Sequence, residues 1–308
     1  MATTKKLVHK IFHSKLLLFG EHIINKGAVG LAIPLEKYDG VLRIGSMRER
    51  AIAESNQAIE TLAHYIIHND LLSGVFDTNQ MLEDLERGLY FDSTIPQGYG
   101  VGSSGALVAA VYYQYRKTKK KNYVVSELKN ELAELESHFH GKSSGLDAIV
   151  CYLNKAVLIN KGEVAETFVF PKSKNEVLKL FLLDTRVERK TSPYVNLFLE
   201  KCKDKKFLST IEKGIVPSNN IAIESFLGNN YVDLMRSVKI ISQLQLDLFN
   251  EFIPKRFHGV WLEGLKHNNY HIKICGAGGG GFIIGFAKAD ADLSILLNGY
   301  ECIEIMKF

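Results

Sequence analysis

Four kinds of side chain in this sequence could do chemistry together: an aspartate, a lysine, a glutamate and serines, each beside a turn rich in small residues. The stretch Pro96-Gln97-Gly98-Tyr99-Gly100-Val101-Gly102-Ser103-Ser104-Gly105 runs straight into Ala106-Leu107-Val108-Ala109-Ala110-Val111, a good helix former. Glycines at alternating positions let a backbone turn tightly and approach a ligand closely. The helix that follows offers free N–H groups and a dipole that favour phosphate. Ser103 and Ser104 add hydroxyls for a phosphate or a metal. No lysine follows the last glycine, so this is not a Walker A loop, nor is it a clean G-x-G-x-x-G. The plainer alternative is a glycine-rich helix start with an ordinary serine cap; phosphate binding is the favoured reading.

A second glycine run, Gly276-Ala277-Gly278-Gly279-Gly280-Gly281, separates Ile272-Lys273-Ile274-Cys275 from Phe282-Ile283-Ile284. Hairpins need only one or two glycines. This run could be a tight β-connection or a backbone wall for a ligand. In Lys15-Leu16-Leu17-Leu18-Phe19-Gly20-Glu21-His22, a strand would point Lys15 and Leu17 to one face. Glu21 and His22 would follow the strand end, where ligand sites of α/β proteins usually form; a surface lysine and a solvated turn are the alternative. Asp147 follows the small-residue loop 140–145 and precedes Ala148-Ile149-Val150, where it could be a helix cap or a reactive carboxylate. Taken together, these segments supply a phosphate cradle, metal ligands, a cation and a carboxylate, the set that phosphoryl transfer requires.

The elements that must position them alternate in type. Strands are expected at 7–19, 28–35 and Leu42-Arg43-Ile44, and a helix over 56–68, where Ile59, Leu62, Ala63, Ile66 and Ile67 recur at helical spacing. A further helix reads from Ser126 to about Ser137, with Leu128, Leu132 and Leu135 on one face, followed by a loop from His140 to Gly145. The polar run Pro171-Lys172-Ser173-Lys174-Asn175 suggests a boundary, giving an N-terminal lobe 1–172 and a C-terminal lobe 173–308. Beyond it a strand is expected at 178–183, then helices. The fold class is α/β (α+β) with two lobes.

Composition narrows the function classes. The 308 residues are 46% hydrophobic and 23% charged, a globular profile, and the formal charge of +4 permits anionic small molecules without calling for nucleic acid. The basic run Lys117-Thr118-Lys119-Lys120-Lys121-Asn122 lacks interleaved aromatics and reads as a solvated helix end. Cys151, Cys202, Cys275 and Cys302 show no C-x-x-C pairing and read as reduced thiols. Lys10, His13, Ser14 and Lys15 interrupt the first apolar stretch, so no signal peptide is expected, and no apolar run approaches the ~20 residues of a membrane span. A cytoplasmic protein is expected.

The order of motifs resembles that of the GHMP small-molecule kinases, over Lys15–His22, Pro96–Ala106 and Ile274–Ile283. Within that superfamily the chain looks most like mevalonate kinases, through Gly20-Glu21-His22 and His140-Gly141-Lys142-Ser143-Ser144-Gly145-Leu146-Asp147, which is similar to their H-G-x-x-S-G-x-D. The resemblance implies two α/β lobes with the active site in the cleft between them. It implies Asp147 as the catalytic carboxylate facing the acceptor hydroxyl and Lys15 as its partner, stabilising charge on the transferring phosphoryl group. Ser104 and Glu136 would hold Mg²⁺. Glu21, His22 and Thr191 would line the acceptor site, with His22 a basic residue for the mevalonate carboxylate. Gly98, Gly100, Gly102, Ser103, Ser104 and Gly105 would wrap the phosphates of ATP, with Gly276 and Gly278 in the second nucleotide-binding loop. The sequence departs from the family pattern in His13-Ser14, where Pro-Gly is usual, and in Ser143, where proline is frequent. The alternatives are a sister kinase acting on phosphomevalonate or another hydroxyl, for which Lys142 and Arg189 could meet a second phosphate, and a nucleotide-binding module without catalysis. No nucleic-acid or membrane partner is implied, and a homodimer is compatible with all these features.

Overall fold

The structure is a computed structural model that describes residues 7–46, 48–118, 124–169 and 176–308. In chain order it forms β1 (Phe12–Phe19), β2 (Gly30–Ile44), α1 (Arg50–His68), α2 (Thr78–Glu86), β3 (Leu89–Ser93), α3 (Ser103–Tyr115), α4 (Val125–His140), α5 (Leu146–Leu153), β4 (Ala156–Asn160) and β5 (Glu163–Phe168). There follow β6 (Leu178–Asp184), α6 (Thr191–Lys201), α7 (Lys205–Thr210), α8 (Val216–Leu227), α9 (Tyr231–Leu248), α10 (His258–His267), β7 (Tyr270–Ile274), β8 (Phe282–Lys288), α11 (Leu293–Leu296) and β9 (Glu301–Lys307). The fold is mixed α/β, as the alternation of patterns implies.

Two compact units interleave along the chain. The first comprises residues up to Lys15, Pro34–Pro96 and Val101–Lys155; the second comprises Leu16–Ile33, Gln97–Gly100 and Ala156–Phe308. The sequence-expected boundary at 171–175 lies outside the described residues, as do Lys119 to Asn122 of the basic run.

In the first unit, residues 40–44 of β2 pair antiparallel with β3, and helices α1 to α5 supply the core. Helix α3 is apolar nearly all round, and Gly105 to Tyr112 are buried without interruption. An apolar stripe on every side is the mark of a helix enclosed by others, and α4 and α5 pack on it. Leu128, Leu132 and Leu135 of α4 are buried on one face, at the positions their spacing indicates.

In the second unit a four-stranded antiparallel sheet has the order β7-β8-β6-β9. Residues 30–32 of β2 pair with β4, which pairs in turn with β5. Phe181, Phe252, Phe257, Trp261, Ile272 and Ile274 are buried in one cluster against the helices. Trp261 is sealed there because its indole N–H donates to the Ser242 carbonyl at 3.1 Å.

Four element boundaries differ from the sequence expectation: α1 begins at Arg50, six residues before the expected start. β1 begins at Phe12, not at residue 7. The strands expected at 28–35 and 42–44 are one 15-residue strand, β2: Lys37-Tyr38-Asp39-Gly40 looks like a break, yet Gly40 continues into the β3 register. Helix α4 runs on to His140, whose ring the sequence reading had assigned to the loop. Among the described residues no helix is long and apolar enough to cross a membrane.

Candidate active site

In the first unit, β1 delivers Lys15 and the first turn of α5 delivers Asp147. Their charged atoms lie 2.7 Å apart, with side-chain exposures of 6% for Lys15 and 44% for Asp147. The ammonium is hidden and the carboxylate reachable. Asp147 is therefore not a cap: Gly145 occupies the N-cap of α5 without a side chain. The stem of Lys15 is accommodated by Gly102, where a Cβ would stand 2.8 Å from Lys15 Cγ, and the Lys15 N–H donates to Val101 O at 2.9 Å.

Gly102 also begins α3, with φ 81°, so Ser103 and Ser104 occupy the first helical turn. Glu136, in the last turn of α4, is buried. The Ser104 hydroxyl lies 3.3 Å from Glu136 Oε1 and 2.9 Å from His140 Nε2, and Ser143 Oγ donates to Glu136 Oε2 at 2.5 Å. Burial pushes the Glu136 pKa up to about 7; the charge of Asp147 adds to the rise, while the Ser143 hydrogen bond, Lys15 and Ser104 oppose it. Gly105 lies farther along α3, where a Cβ would meet Asp147 C and Ala148 N of α5 at 3.0 Å. Its contact is with a helix backbone, so it brings α3 and α5 together.

The second unit holds the other expected residues. Gly98 and Gly100 have positive φ, and beside them lies Arg189, whose N–H donates to Gly98 O at 3.1 Å. A Cβ at Gly100 would lie 1.8 Å from Arg189 Nη2, and one at Gly276 would lie 2.5 Å from the same atom. Both glycine runs thus make room for one guanidinium. Gly278 has φ 76° and packs on Phe252, and Thr191 opens α6 in an exposed position.

Glu21 and His22 are engaged within the protein. Glu21 pairs with Lys273, and both are almost fully buried. Lys273 also donates to Leu18 O at 3.0 Å and Ile274 O at 3.1 Å, so its three N–H bonds are all directed. His22 stacks on Phe198 at 4.9 Å and donates through Nε2 to Ala277 O at 3.1 Å. Burial lowers its pKa to about 4, against the raising effect of the Ala277 carbonyl and with a further lowering from Arg189. Burial thus works against the cationic form that a role toward a substrate carboxylate would use.

Sequence reasoning passed over Lys273, Ser143 and His140 as working residues. A lysine inside the apolar run Ile272–Cys275 was a usable signal, because lysine is almost never buried unless paired. Ser143 was marked only as a departure from the family pattern and His140 gave no signal, since their contacts depend on how α4 and the following turn bring them to Glu136 and Ser104.

A glycine turn opening an apolar helix, a shielded lysine on an exposed carboxylate, and a serine beside a buried glutamate can together bind phosphate, orient a hydroxyl and hold a divalent cation. Residues 70–155 match the family model described as GHMP kinases N terminal domain. Those residues are similar to that domain, and the fold is like that of solved GHMP kinases. Galactokinase of Lactococcus lactis, complexed with galactose, is 14% identical over 99% of this chain and 95% of its own, with a TM-score of 0.64. L. major mevalonate kinase, in complex with R-mevalonate, is 16% identical over 99% and 98%, with a TM-score of 0.61. Phosphomevalonate kinase of Streptococcus pneumoniae is 14% identical over 99% and 100%, with a TM-score of 0.59. No curated protein matches the chain by sequence.

Proposed function

We propose that this chain is an ATP-dependent small-molecule kinase of the cytoplasm that phosphorylates the hydroxyl of mevalonate. The observation that carries the reading is the 2.7 Å pair of buried Lys15 and exposed Asp147, set beside Ser104 and Glu136 in the same unit. Asp147 orients the acceptor hydroxyl and receives its proton, while Lys15 holds the carboxylate in place and offsets charge on the transferring phosphoryl group. Phosphoryl transfer asks little covalent chemistry of a protein, so positioning and electrostatics carry most of the rate. The glycine turn from Gly98 to Ser103 takes the ATP phosphates, and Gly276 and Gly278 shape the second loop.

Mg²⁺ suits the residues present. It is commonly held by one or two carboxylates together with water and substrate phosphates, and the Ser104 hydroxyl and Glu136 carboxylate lie 3.3 Å apart. Among the described residues no group of three or more His, Cys, Asp or Glu could hold a metal, so phosphate and water oxygens would complete the shell. When bound, the cation neutralises phosphate charge. Thr191 and Glu21 stand on the acceptor side in this reading, Glu21 through its tie to Lys273.

A sister reading, an acceptor such as phosphomevalonate that already bears a phosphate, is favoured by one observation: Arg189 is lodged against Gly100 and Gly276 as a fixed, planar cation suited to phosphate. A coupled ADP-release assay with MgATP separates the two. Release that depends on mevalonate and collapses in Asp147→Ala supports the first reading. Turnover with phosphomevalonate alone replaces it, and silence with every hydroxyl acceptor, in protein that binds ATP, defeats the kinase reading.

A further inference from the structure

Ser143 stands in the turn between α4 and α5 and makes hydrogen bonds through both its backbone N–H and its hydroxyl. Its N–H donates to Ser137 Oγ at 3.0 Å, and its hydroxyl receives the Gly145 N–H at 3.0 Å. Because that N–H must be the donor, the Ser143 hydroxyl proton points the other way, to Glu136 Oε2 at 2.5 Å. Ser137 is fixed in turn by donating to Ala133 O at 2.7 Å. The orientation of Glu136 is thus set by a chain of bonds from α4 through the turn.

We propose that Ser143 is the positioning residue of the cation site: its hydroxyl occupies Glu136 Oε2 and presents Oε1, the oxygen beside Ser104, to a small divalent cation. The proposal rests on the reading of Glu136 and Ser104 as cation ligands. A carboxylate oxygen that already accepts a short hydrogen bond is the weaker metal ligand of the two, so Oε1, at the longer 3.3 Å from the Ser104 hydroxyl, is the better placed to meet a cation. Ca²⁺ accepts two oxygens of one carboxylate readily, whereas Mg²⁺ demands near-octahedral geometry at short distance and suits a single oxygen. Ser143 therefore tunes the site toward Mg²⁺, as hydrogen-bonded partners of ligating carboxylates do in other metal sites. A proline here would leave Oε2 open and the carboxylate free to turn.

The test follows Mn²⁺ binding to the full chain in the presence of ADP by electron paramagnetic resonance, with Mg²⁺ and Ca²⁺ as competitors. Ser143→Ala is expected to weaken Mn²⁺ about tenfold and to narrow the preference for Mg²⁺ over Ca²⁺, with metal-free ADP binding unchanged. Ser143→Thr, which keeps the hydroxyl, should restore both. Unchanged Mn²⁺ affinity in Ser143→Ala overturns the proposal, and so does an equal loss of metal-free ADP binding, which would mean that Ser143 serves only the fold of the turn. If the unaltered chain binds ADP but no Mn²⁺, the reading of Glu136 and Ser104 as ligands fails, and this proposal fails with it.

Discussion

A carboxylate that meets an incoming hydroxyl has to be reachable, whereas the cation that steadies it acts more strongly when kept from water. Asp147 and Lys15 divide those demands, at 44% and 6% side-chain exposure. In the proposed function, Asp147→Asn keeps the size of the side chain but removes the proton acceptor, so kcat should fall by about 10²–10⁴ while the ATP dissociation constant stays within a few fold. Comparable losses in both quantities would move Asp147 from the acceptor to the nucleotide. Read alone, the lysine and the acid each allowed a plain structural role, and their pairing was expected only from the family resemblance. The Glu21–Lys273 pair was half legible: Glu21 drew notice as a site residue, but its partner lies 252 residues away. Removing one partner of a buried pair strands the other charge, at a cost of about 3–5 kcal/mol. Lys273→Met should lower the urea midpoint accordingly, and the double variant Lys273→Met, Glu21→Leu should recover part of the loss. No recovery would mean that the lysine's bonds to Leu18 and Ile274 matter more than the ion pair.

At the scale of elements, the glycine turn before α3 serves two masters. Its backbone begins the helix with φ 81° at Gly102, and the absence of a Cβ there makes room for the Lys15 stem at 2.8 Å. Gly102→Ala should therefore cost roughly 1–2 kcal/mol of stability from the left-handed backbone alone and also displace the lysine. Thermal melts and kcat together check it: a stability loss with unaltered kcat would show that Lys15 finds another path to Asp147. Helices α1, α3 and α4 were legible because buried apolar residues recur at their proper spacing, whereas α2 (Thr78–Glu86) was not anticipated. Strand β2 was not, because its middle residues Lys37 to Asp39 look like a turn in isolation. The pairings that carry the strand onward, Gly40 with Ser93 and Val41 with Asp92, lie some fifty residues away. The glycine run at 276–281 was legible as a special connection, but the side chain it accommodates, Arg189, was visible only once the chain had folded.

Across the whole molecule, buried titratable groups couple stability to pH. His271 on β7 is 4% exposed, and its Nδ1 finds no hydrogen-bond partner among the described residues. Burial lowers its pKa from 6.5 to about 4, with Lys239 adding to the effect, and His22 is lowered to about 4 as well. Between pH 6.5 and 4 the unfolded chain therefore binds protons on these histidines that the folded chain does not, and stability falls as pH falls. Each shift corresponds to roughly 3 kcal/mol at full effect. Glu136 works in the opposite sense: with its pKa raised to about 7 by burial, the folded chain holds a proton that the unfolded chain releases above pH 4.5. Across the window where all three shifts act, two histidines oppose one carboxylate, and the net slope still favours unfolding on acidification. His271→Leu removes one of the two histidine contributions without touching the candidate active site. Urea denaturation at pH 7 and at pH 4 should show the unaltered chain losing about 3 kcal/mol more than this variant over that interval. Equal losses would mean that His271 gains its proton without unfolding, through a local opening of β7 against α9, and that its burial does not govern the acid limit.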